Sequence, residues 1–173
     1  MSRKWNIVSR IVKDADGTQF CPSCGACLED ERSLEHLRMF HSFMRHCFES
    51  WPEDCEFTPD NQEHLRAWLL VKVKHREPHH VFPFASKRER KFAEDLLNQE
   101  MRFDRARGVY GFVVVVPGGV AILRPASIAI HGSRAISEKK FVAVSDAVFK
   151  FVLEFAGIDF QLWKELYPAR KQA

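Results

Sequence analysis

Nothing in this chain of 173 residues carries a ready-made catalytic signature. A glycine-rich phosphate loop, a Gly-x-Ser-x-Gly elbow and a His-Glu-x-x-His helix are all missing, which removes the commonest routes to nucleotide, acyl-transfer and zinc-hydrolase chemistry. His75, His79 and His80 have only Glu77 among them, too few carboxylates for a metal nuclease. The chain is therefore expected not to be an enzyme. Met1 to Arg10 lacks the continuous apolar core of a secretory signal, and no stretch reaches the roughly 18 apolar residues of a membrane span. Those two absences predict a cytoplasmic protein with no membrane partner, and the missing catalytic signatures predict no small-molecule substrate. Charge of one sign is scarce too: 26 Lys and Arg stand against 23 Asp and Glu, a net +3, far from a polybasic binder. Internal repeats and low-complexity segments are absent, so one domain over residues 1–173 is expected.

What is abundant is aromatic. Fifteen phenylalanines and four tryptophans must lie mostly in the core, because a soluble chain that exposed them all would associate. A few remain for an interface. Five cysteines are an odd number for a disulfide framework in a reducing compartment, and three of them crowd into Cys21-Pro22-Ser23-Cys24-Gly25-Ala26-Cys27. Metal ligation or free thiols fit that pattern better.

The periodicities predict an α+β fold with helices packed on a small antiparallel sheet. A short hairpin is expected over residues 4–20, turning at Asp14-Ala15-Asp16-Gly17. Apolar residues recur at helical spacing from Arg32 to Ser50 and stop at Trp51-Pro52. A second helix is expected to start on Asp60 as cap, with Glu63 reaching back, and with Leu65, Trp68, Leu69, Lys72 and Val73 inward. The segment Pro78 to Phe84 reads as an extended linker into a third, basic helix with Phe92, Leu96, Leu97 and Met101 inward. Val109–Val116 and Val120–Ile130 are strand-like runs joined by Pro117-Gly118-Gly119. Ser137 caps a fourth helix that Gly157 stops. Phe160, Trp163, Leu166 and Tyr167 suggest a terminal helix packed back on the body.

Cys21-Pro-Ser-Cys24-Gly has the form of a zinc knuckle, two thiolates three apart on a tight turn that glycine permits. With His36 and His41 the spacing comes within one residue of the two-cysteine, two-histidine finger. Zinc held by Cys21, Cys24, His36 and His41 is the expectation, and four protein ligands would make it structural rather than catalytic. Residues five apart on a straight helix diverge by about 140°, so Cys27 is the substitute for either histidine. The alternative is a set of reduced surface thiols with His41 filling a core position. No βαβ pattern surrounds the pair, which speaks against a redox role.

Arg32-Ser33-Leu34-Glu35-His36-Leu37-Arg38-Met39-Phe40, Phe48-Glu49-Ser50-Trp51-Pro52-Glu53, Pro59 through Leu70, and Arg124-Pro125-Ala126-Ser127-Ile128-Ala129-Ile130 ahead of the Phe141 helix together resemble an uncharacterised prophage protein family. More distantly, Arg32, Ser33 and Arg38 resemble the helix start of recombination mediators of the lambda NinB (Orf) type, which bind single-stranded DNA. The cysteine cluster departs from both. The likeness implies a phage setting and nucleic-acid binding. Independently, Lys87, Arg88, Arg90 and Lys91 with Arg102, Arg105 and Arg107 flank the third helix as a phosphate-binding face, and Arg32, Arg38 and Arg45 form a second basic row on the first. Helical charge runs ordinarily serve only as solvated surface. The leading expectation is a phage accessory that binds single-stranded or distorted DNA in recombination or replication. Its rival is a protein-binding inhibitor of a host complex, of the anti-CRISPR kind, with no nucleic-acid contact.

Overall fold

Pro117-Gly118 makes the tight turn its sequence calls for, with Gly118 at φ 89°, a left-handed value that the second central position of such a turn requires. It joins β5 (Phe112–Val116) to β6 (Gly119–Leu123), antiparallel, with Phe112 opposite Leu123 and Val113 opposite Ile122. Strand β6 ends at Leu123, well before Ile130, because Pro125 lacks a donor and restricts the residue before it. The expected linker contains a strand instead. β4 (Val81–Pro83) pairs with β6 in the order β4-β6-β5. Pro83 is tolerated there because β4 is an edge.

The computed structural model describes residues 6–8, 11–13, 19–20, 31–129 and 135–170. They divide into two units, residues 1–42 with 127–143 and residues 43–126 with 144–173. The first unit holds a small antiparallel sheet of β1 (Asn6–Val8), β2 (Ile11–Lys13) and β3 (Gln19–Phe20). It also holds most of α1 (Glu31–Glu49) and the start of α4 (Glu138–Ala156), where Phe40 meets Phe141 edge to face at 5.8 Å. The Ser137 hydroxyl caps α4 by accepting from Lys140 N–H.

The second unit carries the β4-β6-β5 sheet, the end of α1, the rest of α4, α2 (Gln62–Lys72), α3 (Lys87–Ala106) and α5 (Phe160–Arg170). Its aromatic core answers the composition. Phe43, fully buried, is ringed by Phe149, Phe160 and Trp163 at 5.1–5.3 Å. Trp68 stacks flat on Phe57 at 4.3 Å and meets Trp51, Phe151 and Phe155. Gly157, at φ 68°, ends α4 as expected. Phe160 and Trp163 are buried while Leu166 is exposed.

The cap of α2 lies one residue later than the sequence suggests. Asn61 Oδ1 accepts from His64 N–H at 2.9 Å, whereas the Asp60 carboxylate is taken by Arg105 at 2.6 Å and Glu63 by Arg66. Lys72 is exposed rather than inward, with its ammonium 5.1 Å from the Trp68 ring centre, and Val73 is the half-buried C-cap. Among the described residues no helix is long and apolar enough to cross a membrane.

Candidate nucleic-acid interface

α3 begins with a complete capping box. Ser86 Oγ accepts from Glu89 N–H, and the Glu89 carboxylate accepts from Ser86 N–H, each at 3.2 Å. The helix then packs on β5 and β6, with Ala93 and Met101 buried and Leu97 half-buried. Spacings of four set that inner stripe. It displaces two residues expected inside: Phe92 is 71 % and Leu96 54 % exposed, and Phe103 is 75 % exposed. Phe92, Leu96, Gln99 and Phe103 follow one another at intervals of four, three and four, so they form a second apolar row on the solvent side. Phe82 on β4 adds to it at 43 % exposure.

Beside this row runs a polar one. Arg88, Lys91, Asp95, Asn98, Arg102 and Arg105 recur at intervals of three and four, which places them on one flank of the helix. Asp95, Asn98, Gln99, Arg102 and Arg105 line a shallow polar recess there. Lys87 and Arg90 border a separate recess with Phe84, Ser86, Gly118 and Gly119. The candidate cations are thus exposed or half-exposed, but some have local partners. Lys91 reaches Asp95 at 2.9 Å, and that hydrogen bond holds its ammonium pKa above the ordinary value. Arg105 binds Asp60. Arg107 is the C-cap of α3. Lys87, Arg88, Arg90, Arg102 and Arg107 make no ion pair among the described residues.

The half-exposed Arg105–Asp60 pair borders a buried histidine. The hydrogen bond from Arg105 lowers the Asp60 pKa. His64, only 3 % exposed, lies nearly parallel to the Tyr110 and Phe112 rings at 5.7 Å from each, and its Nδ1 accepts from Asp60 N–H at 3.1 Å. Burial, with the Arg105 charge adding to it, lowers the imidazole pKa. His64 is therefore a neutral core acceptor that fixes the α2 N-terminus.

On α1, Arg38 and Arg45 are exposed and seven residues apart, hence on one side of the helix. Arg45 pairs with Glu49 at 3.0 Å. The Arg32 side chain lies outside the described residues, as do Cys21, Cys24 and Cys27. Of the expected zinc ligands, His41 touches the Phe40 ring edge-on. His36 Nδ1 is 3.6 Å from a Glu138 oxygen, within ion-pair reach but too long for a hydrogen bond, and it is buried with no hydrogen-bond partner. Among the described residues no three His, Cys, Asp or Glu side chains gather as a metal site. Cys47 is fully buried, and desolvation pushes its thiol pKa far up, which keeps it an unreactive thiol.

Sequence reasoning missed the outer apolar row. The signal was present, because Phe92, Leu96 and Phe103 repeat as regularly as Ala93, Leu97 and Met101, but periodicity alone favours the larger side chains as core. No known protein family, curated protein or solved structure matches this chain.

Proposed function

We propose that this chain is a phage-type accessory protein that binds single-stranded nucleic acid, DNA favoured, along α3. The observation that supports this reading is the adjacency on one exposed helix of an aromatic row, Phe92 and Phe103, and a cationic flank, Arg88, Lys91, Arg102 and Arg105. Single-strand binders combine these two elements: aromatic faces stack bases without regard to sequence, and cations follow the phosphates. The Lys91–Asp95 and Arg105–Asp60 pairs are surface pairs of small net value, so a phosphate competes with them at little cost. Lys87, Arg90 and Arg107 extend the positive surface at the two helix ends, and Arg32, Arg38 and Arg45 offer a second row.

The test is anisotropy of a labelled oligonucleotide. Changing Lys87, Arg88, Arg90 and Lys91 together to Glu abolishes binding and flattens its salt dependence by about 0.7 per lost phosphate contact. The helix survives, because acidic residues suit its N-terminus. Unchanged affinity with wild-type circular dichroism refutes this surface. Failure of the wild-type protein to bind any DNA or RNA favours the second reading, a protein-binding inhibitor of a host complex. That reading has its own support in the apolar groove of about 460 Å³ formed by Phe82, Phe84, Phe92, Leu96 and Leu97.

We also propose a structural zinc ion on Cys21 and Cys24, completed by His36 and by His41 or Cys27. The unbonded His36 Nδ1 supports His36 as a ligand. Elemental analysis then finds about one zinc per chain, and Cys21→Ser or Cys24→Ser releases it with loss of stability. Protein prepared without chelator that carries no transition metal ends the proposal.

A further inference from the structure

We infer that α3 pairs antiparallel with α3 of a second copy of this chain. The outer row of Phe92, Leu96, Gln99 and Phe103 has the alternating three- and four-residue spacing of a coiled-coil seam. Its helix already turns the neighbouring stripe, Ala93, Leu97 and Met101, toward its own sheet. Among the described residues the only other exposed aromatic is Phe82, in the adjoining groove, so an exposed row of that length stands out.

A two-fold pairing needs one surface to carry both halves of the fit. α3 does. Phe103 projects near its C-terminal end at 75 % exposure, and the apolar groove of Phe82, Phe84, Phe92 and Leu96 opens near its N-terminal end. The eleven steps from Phe92 to Phe103 span roughly 16 Å along the helix. Antiparallel overlap centred between Leu97 and Asn98 places each Phe103 opposite Phe92 and the groove of the other copy, with Leu96 opposite Gln99.

Charge selects the orientation. Arg88, Asp95 and Arg102 flank the seam on one side, Ala93, Glu100 and Arg107 on the other. In an antiparallel pair each flank faces its own equivalent, so Asp95 meets Arg102 of the second copy twice over and Glu100 meets Ala93, while Arg88 lies beyond the C-terminal end of the partner helix, which stops at Ala106. No like charges oppose. In a parallel pair the two flanks face each other, which sets Asp95 against Glu100 and Arg102 against Arg107. Both contacts are repulsive, and flanking charges of this kind decide helix orientation.

The inference stands without the nucleic-acid reading. Where both apply they are linked, since self-pairing covers the Phe92 and Phe103 that would stack bases.

Sedimentation of the full chain tests it. Wild-type protein shows a concentration-dependent monomer–dimer equilibrium, and Phe103→Glu is monomeric over the same range. Asp95→Arg alone and Arg102→Asp alone each weaken self-association by about tenfold or more, because each sets like charges face to face. An equimolar mixture of these two variants restores a dimer, because position 95 of each chain then faces the opposite charge at position 102 of the other. Circular dichroism of each variant matches wild type, as expected for exposed positions. A wild-type protein that stays monomeric at high micromolar concentration overturns the inference. So does a dimer indifferent to Phe103→Glu, or a mixture no tighter than its separate components.

Discussion

α2 and α3 lie in the same unit and differ in almost every respect. α2 buries His64, Leu65, Ala67, Trp68, Leu69, Leu70 and Val71 within eleven residues, whereas α3 buries only Ala93 and Met101 within twenty. α2 is covered on several sides, by Phe57, by Phe151 and Phe155 of α4, and by Tyr110 and Phe112 leading into β5. α3 touches the sheet along one narrow stripe and turns large apolar side chains outward. Capping explains neither difference, since both helices are well capped. What differs is the number of elements that reach them. A helix enclosed by others is held by burial, while a helix on one face of a sheet is held by a stripe and by its own propensity.

Side-chain truncation separates the two most sharply. Trp68→Ala in α2 lowers unfolding free energy by about 3–5 kcal/mol, while Phe103→Ala in α3, in dilute protein, changes it by no more than about 0.5 kcal/mol. Urea denaturation measures both. Comparable losses at the two positions would show that α3 is enclosed by part of its own chain.

A smaller effect is expected where α3's groove meets the sheet. A Cβ on Gly119 would overlap the carbonyl oxygen of Phe82, so Gly119→Ala must push β4 away from β6, at a cost of about 1–3 kcal/mol. Hydrogen exchange checks this: amides in the β4–β6 ladder lose protection while those of α2 keep theirs. Gly118→Ala, with open space around it but φ 89°, strains only the turn.

The smallest and most specific effect is a pH dependence on the α2 side. His64 is held neutral by burial, so its folded pKa lies below the ordinary value of about 6.5. As pH falls below that value the unfolded chain takes up a proton that the folded chain refuses, and stability declines. The contribution is complete above the ordinary value and is lost through the window down to the lowered folded pKa. Asp60 acts further down, where acid protonates the carboxylate that Arg105 stabilises. His64→Phe removes the first slope and leaves the second. Denaturation midpoints from pH 7 down to about pH 2 resolve the two, because the Asp60 contribution is lost only below the ordinary carboxylate range, and a wild-type slope in His64→Phe would exclude His64 as its source.

Much of the architecture was legible because short-range chemistry fixes it. Helix α1 stops where Trp51-Pro52 forbids continuation, the β5–β6 turn falls on Pro117-Gly118, Ser137 starts α4 and Gly157 ends it. Each of these depends on a backbone preference of one or two residues. The cap of α2 moved from Asp60 to Asn61 because Arg105, 45 residues away, claims the Asp60 carboxylate. β4 was read as a linker because a three-residue edge strand with a proline has little pattern of its own and exists through its partner β6.

The candidate site divides in the same way. Lys87, Arg88, Arg90, Lys91, Arg102 and Arg105 could be placed on a solvent-facing helix from sequence, since charge resists burial and helical spacing groups the cations. Phe92, Leu96 and Phe103 could not be placed outside. Sequence supplied two interleaved apolar stripes on α3, and the rule that large apolar side chains seek the core drew from both: Leu97 and Met101 are inward as expected, Phe92 and Leu96 are not. Only the tertiary structure decided between them. β5 and β6 pack on α3, a Cβ on Gly111 just before β5 would press on the Met101 sulfur, and because the stripe turned to the sheet is that of Ala93, Leu97 and Met101, Phe92 and Phe103 are left on the solvent side.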